Sequence, residues 1–286
     1  MSIGTSPSRQ TSWDARAAAN FICGGAGAGL IVFTALTVAR DGALTAAMLA
    51  GVALIGTGLL CVWHELGRPL RALHVFFHPR TSWMTRESFV ATLLVPVALV
   101  AATGVEPFAY AAGVLAAAFI VCQARMLQAS CGIPAWREPL TAALLAITAL
   151  TEGAGIWLAL SPWLRTGSQA LVAAFGVLVL GRIVVWLAYR RAVAVASPRS
   201  AAALVATGRV LQVAGTLLPL VAVAAIVGGV TSGSATLAVA AAAGALGAAA
   251  GAHLKYVLVV HAGFTQGPVL TRLPVRGVPR VRPERI

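Results

Sequence analysis

A chain of 286 residues that is 59% hydrophobic and only 10% charged, with a mean hydropathy of +0.88, lacks the polar surface a soluble domain needs. Its composition is that of an integral membrane protein. The net charge of +13 is large enough to raise nucleic acid as a partner, but its placement along the chain gives it another use, set out below.

Residues 1–16 form a polar segment with no apolar core, so no cleavable signal is expected. Apolar runs of about 20 residues, the length that crosses a bilayer, then place eight transmembrane helices. They fall at Ala17–Ala39, Ala43–Trp63, Ser88–Gly104, Pro107–Met126, Leu140–Leu160, Ala170–Tyr189, Val210–Val230 and Ala235–Val260. The third run is short and can begin inside the preceding connector. The expected architecture is an all-α integral membrane protein, with a membrane domain over 17–260 and a motif loop at 64–87. A basic tail follows over 261–286, Pro- and Arg-rich and expected to lie extended at the membrane surface. Gly244, Gly247 and Gly251 sit in an Ala-rich stretch of the last run, a composition suited to close helix packing. No repeat and no nucleotide-binding fingerprint is visible at the level of residues.

Eight spans return both termini to one side. That side carries all of the 21 lysines and arginines except Arg40, Arg165 and Lys255, if Arg182 is counted at the near end of its span. The positive-inside rule makes this side cytoplasmic, so both termini and the motif loop face the cytoplasm from the cell's inner membrane. The basic excess then orients the protein and attracts anionic lipid, and nucleic acid is not an expected partner. The cytoplasmic connectors are also the long ones. The loops 127–139 and 190–209, with the basic tail, are candidate docking surface for a partner protein.

The densest cluster of chemistry is "WHELGRPLRALHVFFHPRTSWMTRE", Trp63 to Glu87. Much of it reads as helix punctuation at a water boundary. Gly67 and Pro69 end the second span, Arg68 and Arg71 suit its negative end, and Ser82 or Thr85 can cap the third. Trp63 and Trp83 fall where belt aromatics do. What punctuation leaves over is His64, Glu65 and Glu87 at the mouths of adjoining helices. Acids partly withdrawn from water there can exchange protons near neutral pH. A quinone site needs such groups: hydrogen-bond partners for two oxygens, an acceptor for two protons, and lipid access for an isoprenoid tail. On this reading Glu87 and Glu65 transfer protons, His64 bonds the head group, and Arg68 and Arg86 position it electrostatically, with Gly67 and Trp83 completing the site.

"LGRPLRAL" at Leu66–Leu73, followed by "SWMTRE" at Ser82–Glu87, resembles the membrane anchor subunits of dimethyl-sulfoxide-reductase-type molybdoenzymes, the DmsC family, related to the wider NrfD group. "IPAWREPLT" at Ile133–Thr141, opening a span after a basic loop, is similar to a second recurrent segment of that family. The resemblance implies a three-part complex. A molybdopterin catalytic subunit exchanges electrons through a four-cluster ferredoxin-like iron–sulfur subunit with menaquinone or ubiquinone bound at the anchor, which itself holds no haem or cluster. It also implies that Glu87 is the family's acid after "SW" and that Gly67, Arg68 and Pro69 form its turn. One departure stands out: the family commonly reads His-Leu-Gly, whereas Glu65 holds that His position here and His64 precedes it. "HVFFHPRTSWMTRE" further resembles the anchors of phenylacetyl-CoA:acceptor oxidoreductases, in which electrons run from substrate to quinone. The four cysteines, Cys23, Cys61, Cys122 and Cys131, form no CxxC pair, which argues against a cluster or metal site in this chain.

Two other function classes remain open in the sequence. A b-type cytochrome would need two axial histidines from facing helices, for which His64 with His253 or His261 are the candidates. A secondary transporter would show broken spans at matching places in its halves, and Pro96 and Pro219 are a faint hint of that. Glu152 and Lys255 lie within the fifth and eighth runs, where a charge is costly and faces a cavity or a partner. Either they pair, or they form part of a proton path from the quinone site to the far side. If the path exists, Glu152→Gln slows quinone turnover or abolishes pH-coupled charge movement. A variant with both unchanged removes the path.

Overall fold

A segment crossing lipid must satisfy its backbone hydrogen bonds within itself, which helices do. The computed structural model describes residues 3–4, 7–37, 42–65, 69–164, 168–266 and 269–270. Among them are eight helices long and apolar enough to cross a membrane: Ala15–Thr37, Gly42–His64, Trp83–Ala101, Glu106–Gln128, Leu140–Leu164, Gln169–Ala196, Val205–Val227 and Gly233–His261, here numbered spans one to eight. The protein is a multi-pass membrane protein.

The helices form two rings of four. Spans one, two, three and four pack in sequence, and span four closes back on span one; spans five to eight repeat the same order, with span eight closing on span five. The rings meet along spans one and five, which are the most buried of the eight. This twofold plan leaves no trace in the residues, because lipid-facing and core-facing positions alike are filled by Ala, Val, Leu and Gly. Small residues make the central joint possible. A Cβ on Gly29 would collide with the Ala149 carbonyl, and one on Gly153 would collide with the backbone of Gly29 and Leu30. The same device joins spans five and eight, where Gly155 and Gly244 meet backbone to backbone.

Several boundaries differ from the sequence expectation for identifiable reasons. Span three begins at Trp83, ahead of the expected Ser88, because Ser82 caps it by accepting from the Thr85 N–H at 3.3 Å. Span six runs to Ala196, and a short helix at Pro198–Ala203 leads almost directly into span seven. The Tyr189 and Val193 side chains stay buried along this extension. Most of the expected 190–209 loop is therefore helix. In the 127–139 connector, Ile133–Trp136 is buried and Cys131, Gly132 and Arg137 are exposed. Trp136 donates Nε1–H to the Leu258 carbonyl at 2.9 Å, and the Tyr189 hydroxyl donates to the Ala135 carbonyl at 2.9 Å. Gly104, with φ +93°, turns the chain between spans three and four.

The described segments near the two ends of the chain lie at one end of the bundle and are joined there. Ile3–Gly4 pairs antiparallel with Val269–Leu270, the Gln10 N–H donates to the Gly263 carbonyl, and Thr265 N–H donates to the Ser8 carbonyl. Asp14 caps span one, and its hydrogen bonds from Arg16 hold its carboxyl below the ordinary range. Residues 271–286 of the expected tail lie outside the described residues.

Gly29→Leu should lower stability by about 1–3 kcal/mol or more, since backbone on span five must move to admit it. Thermal unfolding in detergent reads this, with Gly132→Ala, at an exposed position with open space around it, as the neutral comparison.

Candidate functional site

Span one is interrupted near its start by a π-helical segment, Asn20–Gly24, set between its α-helical parts Ala15–Ala19 and Gly25–Thr37. The wider turn re-aims its side chains and releases carbonyls from the regular i→i+4 ladder. Asn20 is buried on it, and its Nδ2 donates to Glu87 Oε1 at 3.5 Å. Gln123, buried on span four, donates Nε2–H to the Asn20 carbonyl at 2.9 Å and lies 3.4 Å from the same Glu87 oxygen. Glu87, one turn into span three, is only 3% exposed. A carboxyl with no cation within ion-pair distance among the described residues is thus held by two neutral amides from two other helices. Asn20 Oδ1 is buried without a hydrogen-bond donor among the described residues.

Glu87 and Asn20 face a cavity of about 930 Å³ at the end of the bundle where the termini meet. Span one contributes Ala17 and Phe21, with Trp13 just before it; span two contributes the Gly56–Trp63 stretch. Across from them stand Met84 and Ser88 of span three and Met126 of span four. The connector helix Pro69–Phe77 covers the mouth with Ala72 and Val75. Thr85 pins that cover by donating its hydroxyl to the Val75 carbonyl, and Phe76 packs edge-on against Phe89 at 5.0 Å. Leu60, Trp63 and Met84 line the cavity and are also among the exposed apolar side chains. The cavity is therefore open on the side of spans two and three.

The structure brings some of the sequence-expected residues to this cavity and not others. Glu87 is in its wall. Trp63 also lines it, while the neighbouring His64 ring packs against the Trp63 ring at 5.8 Å on the exposed side. The His64 carbonyl accepts from Arg16 Nη1 at 3.2 Å, tying span two to the start of span one. Arg86 is engaged elsewhere. It donates to the carbonyls of Pro79 and Arg80 at 2.9 and 2.8 Å and lies 4.2 Å above the Trp83 ring, so Trp83 and Arg86 together fold the last turn of the connector. Gly67, Arg68 and the side chain of Glu65 lie outside the described residues.

Glu152 and Lys255 form one buried pair, with 2.5 Å between Lys255 Nζ and Glu152 Oε2 and each side chain 1% exposed. Lys255 Nζ also donates to the Phe21 carbonyl at 2.8 Å, inside the π-helical turn that carries Asn20. Arg182, expected near the end of its span, is fully buried because span six continues past it. Its guanidinium donates to the Gly247 carbonyl at 2.8 Å and the Gly215 carbonyl at 2.6 Å. Pro219, four residues on from Gly215, has no N–H to offer that carbonyl, so the arginine replaces it. Among the described residues no group of three His, Cys, Asp or Glu side chains is placed to hold a metal ion.

No protein-family model and no curated protein matches this chain. The groups that the sequence reading missed are Asn20, Gln123 and Arg182. Asn20 and Gln123 were legible only as uncharged polar residues inside apolar runs, a weaker sign than a charge. Gln123→Leu removes a donor from both the Asn20 carbonyl and Glu87, and should cost about 1–3 kcal/mol. Thermal unfolding measures the loss, and an unchanged midpoint shows the amide contacts to be incidental.

Proposed function

We propose that this chain is the quinone-exchanging membrane anchor of a molybdopterin/iron–sulfur oxidoreductase, related to the DmsC family. The observation that carries the reading is the cavity. It is large and apolar and open on the side of spans two and three, with Glu87 and Asn20 at its polar end. A pocket of several hundred Å³ lined by apolar and aromatic groups with a few convergent polar atoms is the usual form of a small-molecule site. A quinone head group with part of an isoprenoid tail has this shape and this polarity.

In that role each residue has a definite task. Glu87 would receive or return the proton of the head group, beside Asn20 in the same wall. Asn20 Nδ2 and Gln123 Nε2 hold the Glu87 carboxyl in place through the exchange. Trp13, Phe21 and Trp63 provide the flat apolar walls. When bound, the quinone supplies the two-electron, two-proton chemistry that the protein's own side chains lack. Electrons pass to or from a ferredoxin-like partner seated on the face where the termini and the covering helix lie. The positive-inside rule makes that face cytoplasmic, and Arg9, Arg80, Arg125, Arg190, Arg191 and Arg199 supply its charge. A cytoplasmic partner suits oxidation of an acyl-CoA substrate with electron flow to quinone. Of the histidines named for the cytochrome alternative, His253 meets Thr207 at 3.4 Å, and His261 packs on Tyr256 and reaches Arg9.

The test is purification of the tagged chain from its native membrane, with assays for bound proteins, molybdenum, iron, haem and quinone. The expected outcome is an iron–sulfur protein and a molybdenum subunit, with quinone and without haem. A lone chain that carries haem overturns the reading. In the same preparation, Glu87→Gln should weaken decylubiquinone binding about tenfold, the scale of one lost hydrogen bond to a charged group.

A further inference from the structure

The buried Glu152–Lys255 pair lies next to the cavity wall without entering it, and three contacts connect the two. Lys255 Nζ donates to the Phe21 carbonyl at 2.8 Å, and Phe21 and Asn20 are consecutive residues of one π-helical turn, both lining the cavity. Gln123 bridges Asn20 and Glu87 through its Nε2. Its other end points the opposite way: a Cβ on Gly25 would lie 2.5 Å from Lys255 Nζ and 3.0 Å from Gln123 Oε1. Lysine ammonium and glutamine carbonyl thus both lie beside the bare Cα of Gly25, while the ammonium's hydrogen bonds go to the Phe21 carbonyl and Glu152.

An amide has two nearly isosteric ends, and a buried one is oriented by what each end meets. The Asn20 carbonyl can only accept and takes the NH₂ end of Gln123 at 2.9 Å, and the Lys255 ammonium across Gly25 favours the carbonyl end on its own side. Glu152 keeps that ammonium in place from the far side. Resting on the quinone-site reading, we infer that Lys255, held by Glu152, is a positioning residue for the cavity: it orients the Gln123 amide and fixes the Asn20 turn, and so sets which hydrogen bonds Glu87 can accept. Without the lysine charge, the Phe21 carbonyl loses its donor and the Gln123 carbonyl its facing cation, so the Asn20 turn and the amide that donates to Glu87 are held less firmly.

The experiment uses the full-length protein in detergent. The double variant Glu152→Gln/Lys255→Met removes both buried charges together, so neither is left unpaired. A second variant, Gly25→Ala, keeps both charges but inserts a methyl group between Lys255 Nζ and Gln123 Oε1. Two readouts are taken: the infrared carbonyl band of Glu87, assigned by its loss in Glu87→Gln, and equilibrium binding of decylubiquinone. In both variants the Glu87 band should move and binding should weaken roughly tenfold, about the worth of one charge-assisted hydrogen bond. Folded variants in which the Glu87 band keeps its wild-type frequency overturn the inference. If the double variant does not fold, Gly25→Ala alone decides by the same band. Failure of the wild-type protein to bind the quinone overturns the site reading instead, and the infrared band still decides whether Lys255 positions Glu87.

Discussion

The contact on which most of this structure depends is the ion pair between Glu152 and Lys255. Two charges cannot be left in the interior of a membrane bundle unless each is answered, and taking them out of water costs several kcal/mol per ion. Here the answer involves three helices: the acid on span five, the base on span eight, and the Phe21 carbonyl on span one. Those are the helices along which the two four-helix rings meet and one of them closes. The pair therefore fixes registry where packing alone is weak at specifying it, because Gly, Ala and Val surfaces slide on one another with little penalty. Close approach at Gly29, Gly153, Gly155 and Gly244 brings the helices near enough for the pair to form.

Irregular helix segments supply much of the rest. A π-helical turn frees carbonyls that in lipid must find another donor, and in each case here a side chain provides it. The Asn20–Gly24 turn is answered by Lys255 and Gln123. The Val213–Leu217 turn, beside Pro219, is answered by Arg182, and the Val257–His261 turn by Trp136 and Gln10. The second motif segment, Ile133–Thr141, is thereby explained as a plug whose tryptophan satisfies span eight. The cavity arises beside the first of these turns, since widening span one there turns Asn20 and Phe21 toward the gap between spans two and three.

Much of the fold was legible in composition and hydropathy. The eight apolar runs correspond one for one to eight helices, and the common side of the termini followed from an even count. The ring plan was not legible, since lipid-facing and core-facing positions draw on the same residues and carry no period. The site was legible where a residue is charged: Glu87, Glu152 and Lys255 stand out from apolar surroundings. It was not legible where neutral amides hold the carboxyl, as Asn20 and Gln123 do for Glu87, or where helix length decides depth. Arg182 looked like a boundary residue only while span six was drawn to end at Tyr189. The cluster from Trp63 to Glu87 turned out to divide its work, with Arg86 and Trp83 folding the connector and Glu87 reaching the cavity.

The long sequence separation of the central contacts has a consequence for how the protein is made. Lys255 lies 103 residues after Glu152 and 234 after Phe21. At a synthesis rate of about 5–20 residues per second, Glu152 waits roughly 5–20 s for its counterion to emerge. During that interval an unanswered acid sits in a span already delivered to the lipid, where such groups are costly. Completion of the last helix is thus the step that closes the polar interior, and a chain interrupted before it retains an exposed intramembrane carboxyl by which membrane quality control can recognise it as unfinished.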